Sequence, residues 1–113
     1  MPSLPSRLME FGIRRMKIFG ADSIDPIGMR NRAEKATAGT RAPWGVKRVP
    51  VKNENVDGEW LIPTGAKDDS ALLYIHGGAW FLGSTNTHRR MVGTLAKKAR
   101  IRALSINYRL APE

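Results

Sequence analysis

The stretch Leu72-Leu73-Tyr74-Ile75-His76-Gly77-Gly78-Ala79-Trp80-Phe81-Leu82-Gly83-Ser84 is an apolar run that breaks abruptly into a His-Gly-Gly turn, and its reading decides the fold. From Ala71 to Ile75 the run is short, apolar at consecutive positions and bounded by polar residues. That pattern predicts a strand buried on both faces, as in a parallel sheet. The two glycines that follow carry no Cβ, so another molecule can approach their backbone and their N–H groups can point at a ligand oxygen. Amides aimed at one point bind an anion, and donors fixed on the oxyanion of acyl transfer supply a large share of such catalysis. A Gly-Gly pair after a strand also serves as a plain turn, and the dipeptide alone leaves both readings open.

Downstream, a helix is predicted to begin near Thr85 to Thr87 and run through Leu95 to Lys98, with Met91, Val92, Leu95 and Ala99 on one face. Ala103-Leu104-Ser105-Ile106 reads as a short apolar strand. Strand, turn, helix and strand make one βαβ unit, whose right-handed crossover lies on one face of a parallel sheet. Upstream, Val46 to Val51 and Val56 to Ile62 read as an antiparallel strand pair joined through Lys52-Asn53-Glu54-Asn55. Pro50 confines the first of these to an edge or a strand end. In the second, Trp60 and Ile62 share a face opposite Leu61. The segment Pro63 to Asp69 reads as the turn-rich link to the central strand.

Two helices are expected before the strands. Leu8, Met9, Phe11, Ile13, Met16 and Phe19 recur at spacings of three and four, which predicts an amphipathic helix over Ser6–Phe19 with Ser6 as N-cap and Gly20 as stop. Asp25-Pro26 is an N-cap followed by proline at the first helical position, opening a second helix that runs to about Ala38 and ends at Gly39.

His76-Gly77-Gly78-Ala79-Trp80, followed by Leu82-Gly83-Ser84 and later by Asn107-Tyr108-Arg109-Leu110-Ala111-Pro112-Glu113, closely resembles the hormone-sensitive lipase family of α/β-hydrolases. The family pattern is a strand, His-Gly-Gly-Gly with an aromatic residue, a helix, and a strand ending in Asp-Tyr-Arg-Leu-Ala-Pro-Glu. Two motifs in order and at family-like spacing carry the likeness, and a weaker one extends upstream. The resemblance implies the N-terminal part of an α/β-hydrolase: two cap helices within residues 1–45, then, over residues 46–113, the strand pair and one βαβ unit of a mostly parallel sheet. Such folds are much longer than this chain.

By the same resemblance the chain supplies part of a carboxylic ester hydrolase acting on small-molecule esters through a serine nucleophile, with no cofactor. Gly77, Gly78 and Ala79 would form the oxyanion hole, with Gly78 and Ala79 as the donors. His76 would support the loop, because the family's catalytic base lies far downstream, and Trp80 would wall the substrate site. His88 reads as solvated or capping. Arg109 and Glu113 would fix loops near the site. Two departures stand out. Ala79 replaces a glycine, adding a Cβ that narrows the pocket but keeps the N–H, and Asn107 replaces an aspartate, which removes a charge. The family nucleophile sits in Gly-x-Ser-x-Gly, and no such sequence occurs among the 113 residues. Ser84 and Ser105 lack the flanking glycines, so no nucleophile or triad is assigned and the chain by itself is expected to be inactive. The resemblance also sets the Leu72–Ile75 strand beside a nucleophile-bearing strand that the sequence lacks, which leaves an unpaired edge.

Composition narrows the alternatives. The chain has no cysteine, which excludes a disulfide, a thiolate nucleophile and a Cys-ligated metal, and suits a reducing cytoplasm. No segment approaches the run of about 18 apolar residues that spans a membrane. Glu10 interrupts the basic, apolar N-terminus and no cleavage site follows it, so no secretory signal is expected. The formal charge is +9 from 19 basic and 10 acidic residues. That charge, with Arg89-Arg90, Lys97-Lys98, Arg100 and Arg102, supports a rival reading: a non-enzymatic basic module for nucleic acid or anionic membrane. The basic residues form no dense run and interleave with few aromatics suited to stacking, so no nucleic-acid partner is expected. Oligomeric state, acyl-chain length and alcohol moiety are not readable from the chain.

Overall fold

The computed structural model describes residues 25–113, and the helix expected over Ser6–Phe19 lies outside them. Helix α1 spans Pro26–Thr37 and starts as the Asp-Pro pair predicts: the Asp25 carboxylate accepts from the Gly28 N–H at 2.9 Å. No residue of α1 is buried. Strands β1 (Val46–Lys52) and β2 (Asp57–Pro63) pair antiparallel from Val46↔Pro63 to Lys52↔Asp57. Between them, Asn53 Oδ1 accepts from the N–H groups of Asn55 and Val56 and closes the turn. Strand β3 (Lys67–Ile75), helix α2 (Thr85–Ala99) and strand β4 (Ile101–Asn107) form the βαβ unit, with β4 parallel to β3. The spatial order is β1-β2-β4-β3, so β4 lies between β3 and β2 and pairs antiparallel with the latter.

Helix α2 covers one face of this sheet. Leu61, Val92, Ala96 and Ala103 are fully buried there, and Ala42, Val46, Leu72 and Tyr74 pack around them. Each fully buried Leu or Val contributes about 1.5–3 kcal/mol by leaving water. Leu61 points into this core while Trp60 and Ile62 lie on the other face, half-buried, as the alternation predicts. Pro50 sits on β1, an edge strand among the described residues, where its missing N–H leaves no rung of the ladder unmade.

Two expectations are corrected. Among the described residues the strand ending at Ile75 is not covered on both faces. Within the described residues it is an edge strand: β4 pairs with one side, Leu72 and Tyr74 turn toward the core, and Leu73 and Ile75 are 57% and 61% exposed on the opposite face. It also begins at Lys67, so Asp68 and Asp69 belong to the strand and not to the link. Its register slips between Lys67 and Ala71, where the strand is charged, while the apolar part from Leu72 to Ile75 keeps a regular register and an unpaired outer edge among the described residues.

The second correction concerns α2. Its buried residues are Thr85, Arg89, Val92, Gly93 and Ala96, while Met91, Leu95 and Ala99 are exposed. Of the predicted face only Val92 points inward. Apolar periodicity picks out Met91 and Leu95, but the helix is rotated by a charged pair that periodicity cannot weigh. Glu59 of β2 is 0% exposed and Arg89 of α2 is 2% exposed. The Arg89 guanidinium donates to both Glu59 oxygens, at 2.8 and 2.9 Å, to the Thr40 carbonyl at 2.6 Å and to Asn86 Oδ1. Arg48 donates to Glu59 from the solvent side. Arg89 therefore ties the helix, the sheet and the segment after α1 together. Committed in this way, it is not free to bind a phosphate, which removes one support of the basic-module reading.

Among the described residues no helix is long and apolar enough to cross a membrane, and no cluster of three or more His, Cys, Asp or Glu side chains is placed to hold a metal ion.

Candidate functional site

The loop from His76 to Ser84 connects β3 to α2, and its backbone takes an uncommon course. Gly78, Ala79 and Trp80 follow one another with φ of +142°, +53° and +65°, and Gly83 has φ +95°. The Gly78 carbonyl accepts from the N–H groups of Phe81 at 3.2 Å and Leu82 at 2.8 Å, closing a tight turn. This folding back is why residue 78 must be glycine: a Cβ there would lie 2.0 Å from the Leu82 carbonyl oxygen. Gly83 is required for the same kind of reason, because its Cβ would lie 2.4 Å from both the Gly77 carbonyl oxygen and His76 Nδ1. Gly77 differs from both, since a Cβ there meets nothing within 4 Å.

Ala79 stands where the resemblance expects glycine, and its backbone sits in the left-handed region that an L side chain disfavours by roughly 1–2 kcal/mol. The consequence of alanine that the structure shows is therefore backbone strain. Replacing Ala79 with glycine is expected to stabilise the chain by about 1 kcal/mol, after the entropy that glycine adds to the unfolded state. A higher urea midpoint at unchanged slope checks this; an unchanged or lower midpoint refutes the assigned strain.

His76 is 3% exposed, held from three sides. Its Nδ1 lies 2.9 Å from the Gly77 carbonyl oxygen, an attractive contact only if Nδ1 carries the proton. Its own carbonyl accepts from the Tyr108 hydroxyl, and its ring stacks on Tyr108 with centroids 4.4 Å apart. On its other side the His88 ring lies 5.5 Å away. His88 belongs to the first turn of α2, half-buried, with Nδ1 near Thr87 Oγ1 and the Ser84 carbonyl.

Of the two serines near the motifs only Ser84 is engaged by hydrogen bonds; the buried Ser105 Oγ has no partner among the described residues. Ser84 is the N-cap of α2: its Oγ accepts from the N–H groups of Asn86 and Thr87, and Thr87 Oγ1 accepts from the Ser84 N–H at 2.9 Å. Ser105 lies fully buried in β4. Asn107 also serves the helix start, accepting from the Thr85 N–H at 2.9 Å through Oδ1 while Nδ2 donates to Asp57 at 3.2 Å. An aspartate at 107 could not make that donation and would set two carboxylates face to face. Asparagine therefore suits this neighbourhood, and no salt bridge is needed there.

His76, Gly77, Gly78, Ala79, Trp80 and Tyr108 line an open cleft of about 330 Å³ at the C-terminal end of β3. Trp80 is 81% exposed and forms one wall, so it is no part of the core. Among the described residues no acceptor takes the N–H of Gly78 or Ala79. The lining contains no serine, threonine or cysteine, and its one hydroxyl, on Tyr108, is committed to the His76 carbonyl.

The Tyr108–Glu113 segment borders this loop. The Ala111 N–H donates to the Trp80 carbonyl at 2.8 Å, and Glu113 pairs with Arg30 of α1. Arg109 is exposed and makes no hydrogen bond within the described residues, where Arg30 bonds the Phe81 and Ala111 carbonyls. Sequence reasoning missed Arg30, for which no local signal exists. It also passed over Gly83, whose place just before an N-cap serine was a usable hint.

A strand that runs into a glycine turn at its C-terminal end, then a helix and a parallel strand, defines this as part of an α/β enzyme fold with its cleft at the strand ends. The model of the α/β-hydrolase fold family matches residues 72–113. The acetyl-hydrolase LipR of Mycobacterium tuberculosis, a putative one by its name, is 34% identical over 95 residues, covering 84% of this chain and 31% of that protein. An esterase of Acinetobacter venetianus is 41% identical over 64 residues, covering 57% of the chain and 21% of the esterase. Among solved structures, EstE5 with PMSF superposes with a TM-score of 0.72 at 32% identity, covering 97% of this chain and 37% of that one. An esterase of the bacterial hormone-sensitive lipase family superposes with a TM-score of 0.68 at 29% identity, covering 99% and 37%. The chain matches part of the hormone-sensitive lipase family of α/β-hydrolases, and it spans between 21% and 37% of the length of these relatives.

Proposed function

We propose that this chain is the oxyanion-binding part of a serine carboxylic ester hydrolase acting on small esters. The observation that carries the reading is the backbone of Gly78 and Ala79: two successive N–H groups without an acceptor among the described residues, on a turn that lines an open cleft. Successive amides of this kind form a concave anion site. In the reaction, a serine attacks the ester carbonyl, whose oxygen gains negative charge as the carbon becomes tetrahedral. Gly78 and Ala79 donate to that oxygen, and His76, pinned by Gly77 and Tyr108, keeps the turn in shape. One such donor is worth roughly 10²–10³ in rate. Trp80 walls the acyl or alcohol side, and residues 1–45, α1 included, form the cap. The nucleophile and its base are absent from these 113 residues, so the chain alone lacks the steps that split the ester. The lack of cysteine supports a cytoplasmic setting.

The isolated chain is expected to leave p-nitrophenyl butyrate unhydrolysed, whereas the chain grafted in place of the matching segment of EstE5 is expected to restore turnover. Turnover by the purified isolated chain that disappears on deleting Gly77 and Gly78 would overturn the first expectation. A folded graft without activity would overturn the assignment of the oxyanion site.

A further inference from the structure

We infer that Arg30 is a positioning residue that makes the shape of the anion-binding turn depend on the docking of α1. Its side chain is 16% exposed and reaches three separated parts of the chain. One terminal nitrogen donates to both Glu113 oxygens, at 2.7 and 2.9 Å, and the other to the Ala111 carbonyl. Nε donates to the Phe81 carbonyl at 3.1 Å. Because Ala111 donates in turn to the Trp80 carbonyl, the guanidinium and the Ala111 peptide close a ring around the Trp80-Phe81 peptide. The N–H of Phe81 is bonded to the Gly78 carbonyl, so the constraint passes directly into the turn that aims the Gly78 and Ala79 amides. A planar fork with fixed donor directions can hold several carbonyls at once, which a lysine ammonium cannot do with the same geometry.

What makes this a coupling device is how α1 is held. With no buried residue, the helix has little apolar anchorage within the described residues. Among the described residues its polar attachments to the rest of the chain are the Arg30 fork and a bond from Asn86 Nδ2 to Glu34 at 3.0 Å. Displacing α1 withdraws the fork, and withdrawing the fork frees the Trp80-Phe81 peptide to turn. A polar cavity of about 230 Å³ beside His76, bordered by Arg30, Glu34, Asp57 and Asn107, leaves room for that movement.

The test is amide hydrogen exchange on the full 113-residue chain, with the Arg30→Gln and Arg30→Lys variants. Arg30→Gln is expected to lower protection roughly tenfold or more at the Leu82 and Ala111 amides and to shift the Gly78 and Ala79 resonances. Val92 and Ala96 in the core should keep theirs, since local openings need not follow global stability. Arg30→Lys should restore only part, because it keeps the Glu113 pair and loses the fork. Unchanged loop amides, or an equal fall across loop and core, would overturn the inference. The catalytic consequence rests on the proposed function and is read separately. In the EstE5 graft, Arg30→Gln should lower kcat with little change in KM. Because exchange needs no turnover, an inactive graft would count against the ester-hydrolase reading alone.

Discussion

Replacing Arg89 with methionine is expected to destabilise the chain by about 3–5 kcal/mol, the largest effect predicted for a single side chain here. Methionine fills much of the same space, so the loss comes from charge. Glu59, with no exposed surface, is left with Arg48, which is half in solvent and bonds only one of the two oxygens. The Thr40 carbonyl and Asn86 Oδ1 lose their donors as well. Removing both charges with a Glu59→Gln, Arg89→Met double variant should cost clearly less than the sum of the two single changes, because no unpaired charge remains inside. Urea midpoints of the four proteins check both statements. Additive losses, or an Arg89→Met midpoint near the parent's, would show that the pair is only a surface-strength contact.

The second large effect is expected at Gly78. Gly78→Ala places a methyl group 2.0 Å from the Leu82 carbonyl oxygen on a residue with φ +142°, so the turn must open. Opening moves two amides at once, and in the EstE5 graft kcat should fall at least 10²–10³-fold, the range for losing one oxyanion donor. Gly77→Ala is the control for folding of the turn, since among the described residues its Cβ meets nothing within 4 Å. It should fold normally and change activity only as far as the methyl crowds the cleft. Equal losses at 77 and 78 would mean that the glycines act through the space they leave, not through the backbone course that Gly78 alone permits.

Much of the fold was legible in the residues because the signals involved are local. Asp25-Pro26 marked the start of α1, Asn53 sat where the β1–β2 turn closes, and the alternation around Leu61 told the core face of β2 from the outer one. The two motifs pointed to the family because short stretches of backbone with special needs keep their residue types. Less legible was everything set by partners distant in the chain. Periodicity put Met91 and Leu95 on the buried face of α2 because it scores an arginine as solvent-seeking. The buried Glu59 that draws Arg89 inward is 30 residues away. Likewise the apolar run at Leu72–Ile75 reads as doubly buried, but burial depends on which layers surround a strand.

The candidate site divides along the same line. The sequence by itself determined that a glycine turn follows a strand, that His76 sits beside it, and that no Gly-x-Ser-x-Gly nucleophile accompanies it, since these are matters of residue type and spacing. Only the tertiary structure decided that a Cβ at 78 or 83 would clash while one at 77 meets nothing among the described residues, that Ala79 is strained, and that Arg30 bonds the Phe81 carbonyl across 51 residues. The reason is physical. Backbone dihedrals, close approaches and hydrogen bonds between distant segments are properties of where the chain returns to itself, and no window of sequence contains both ends of such a contact.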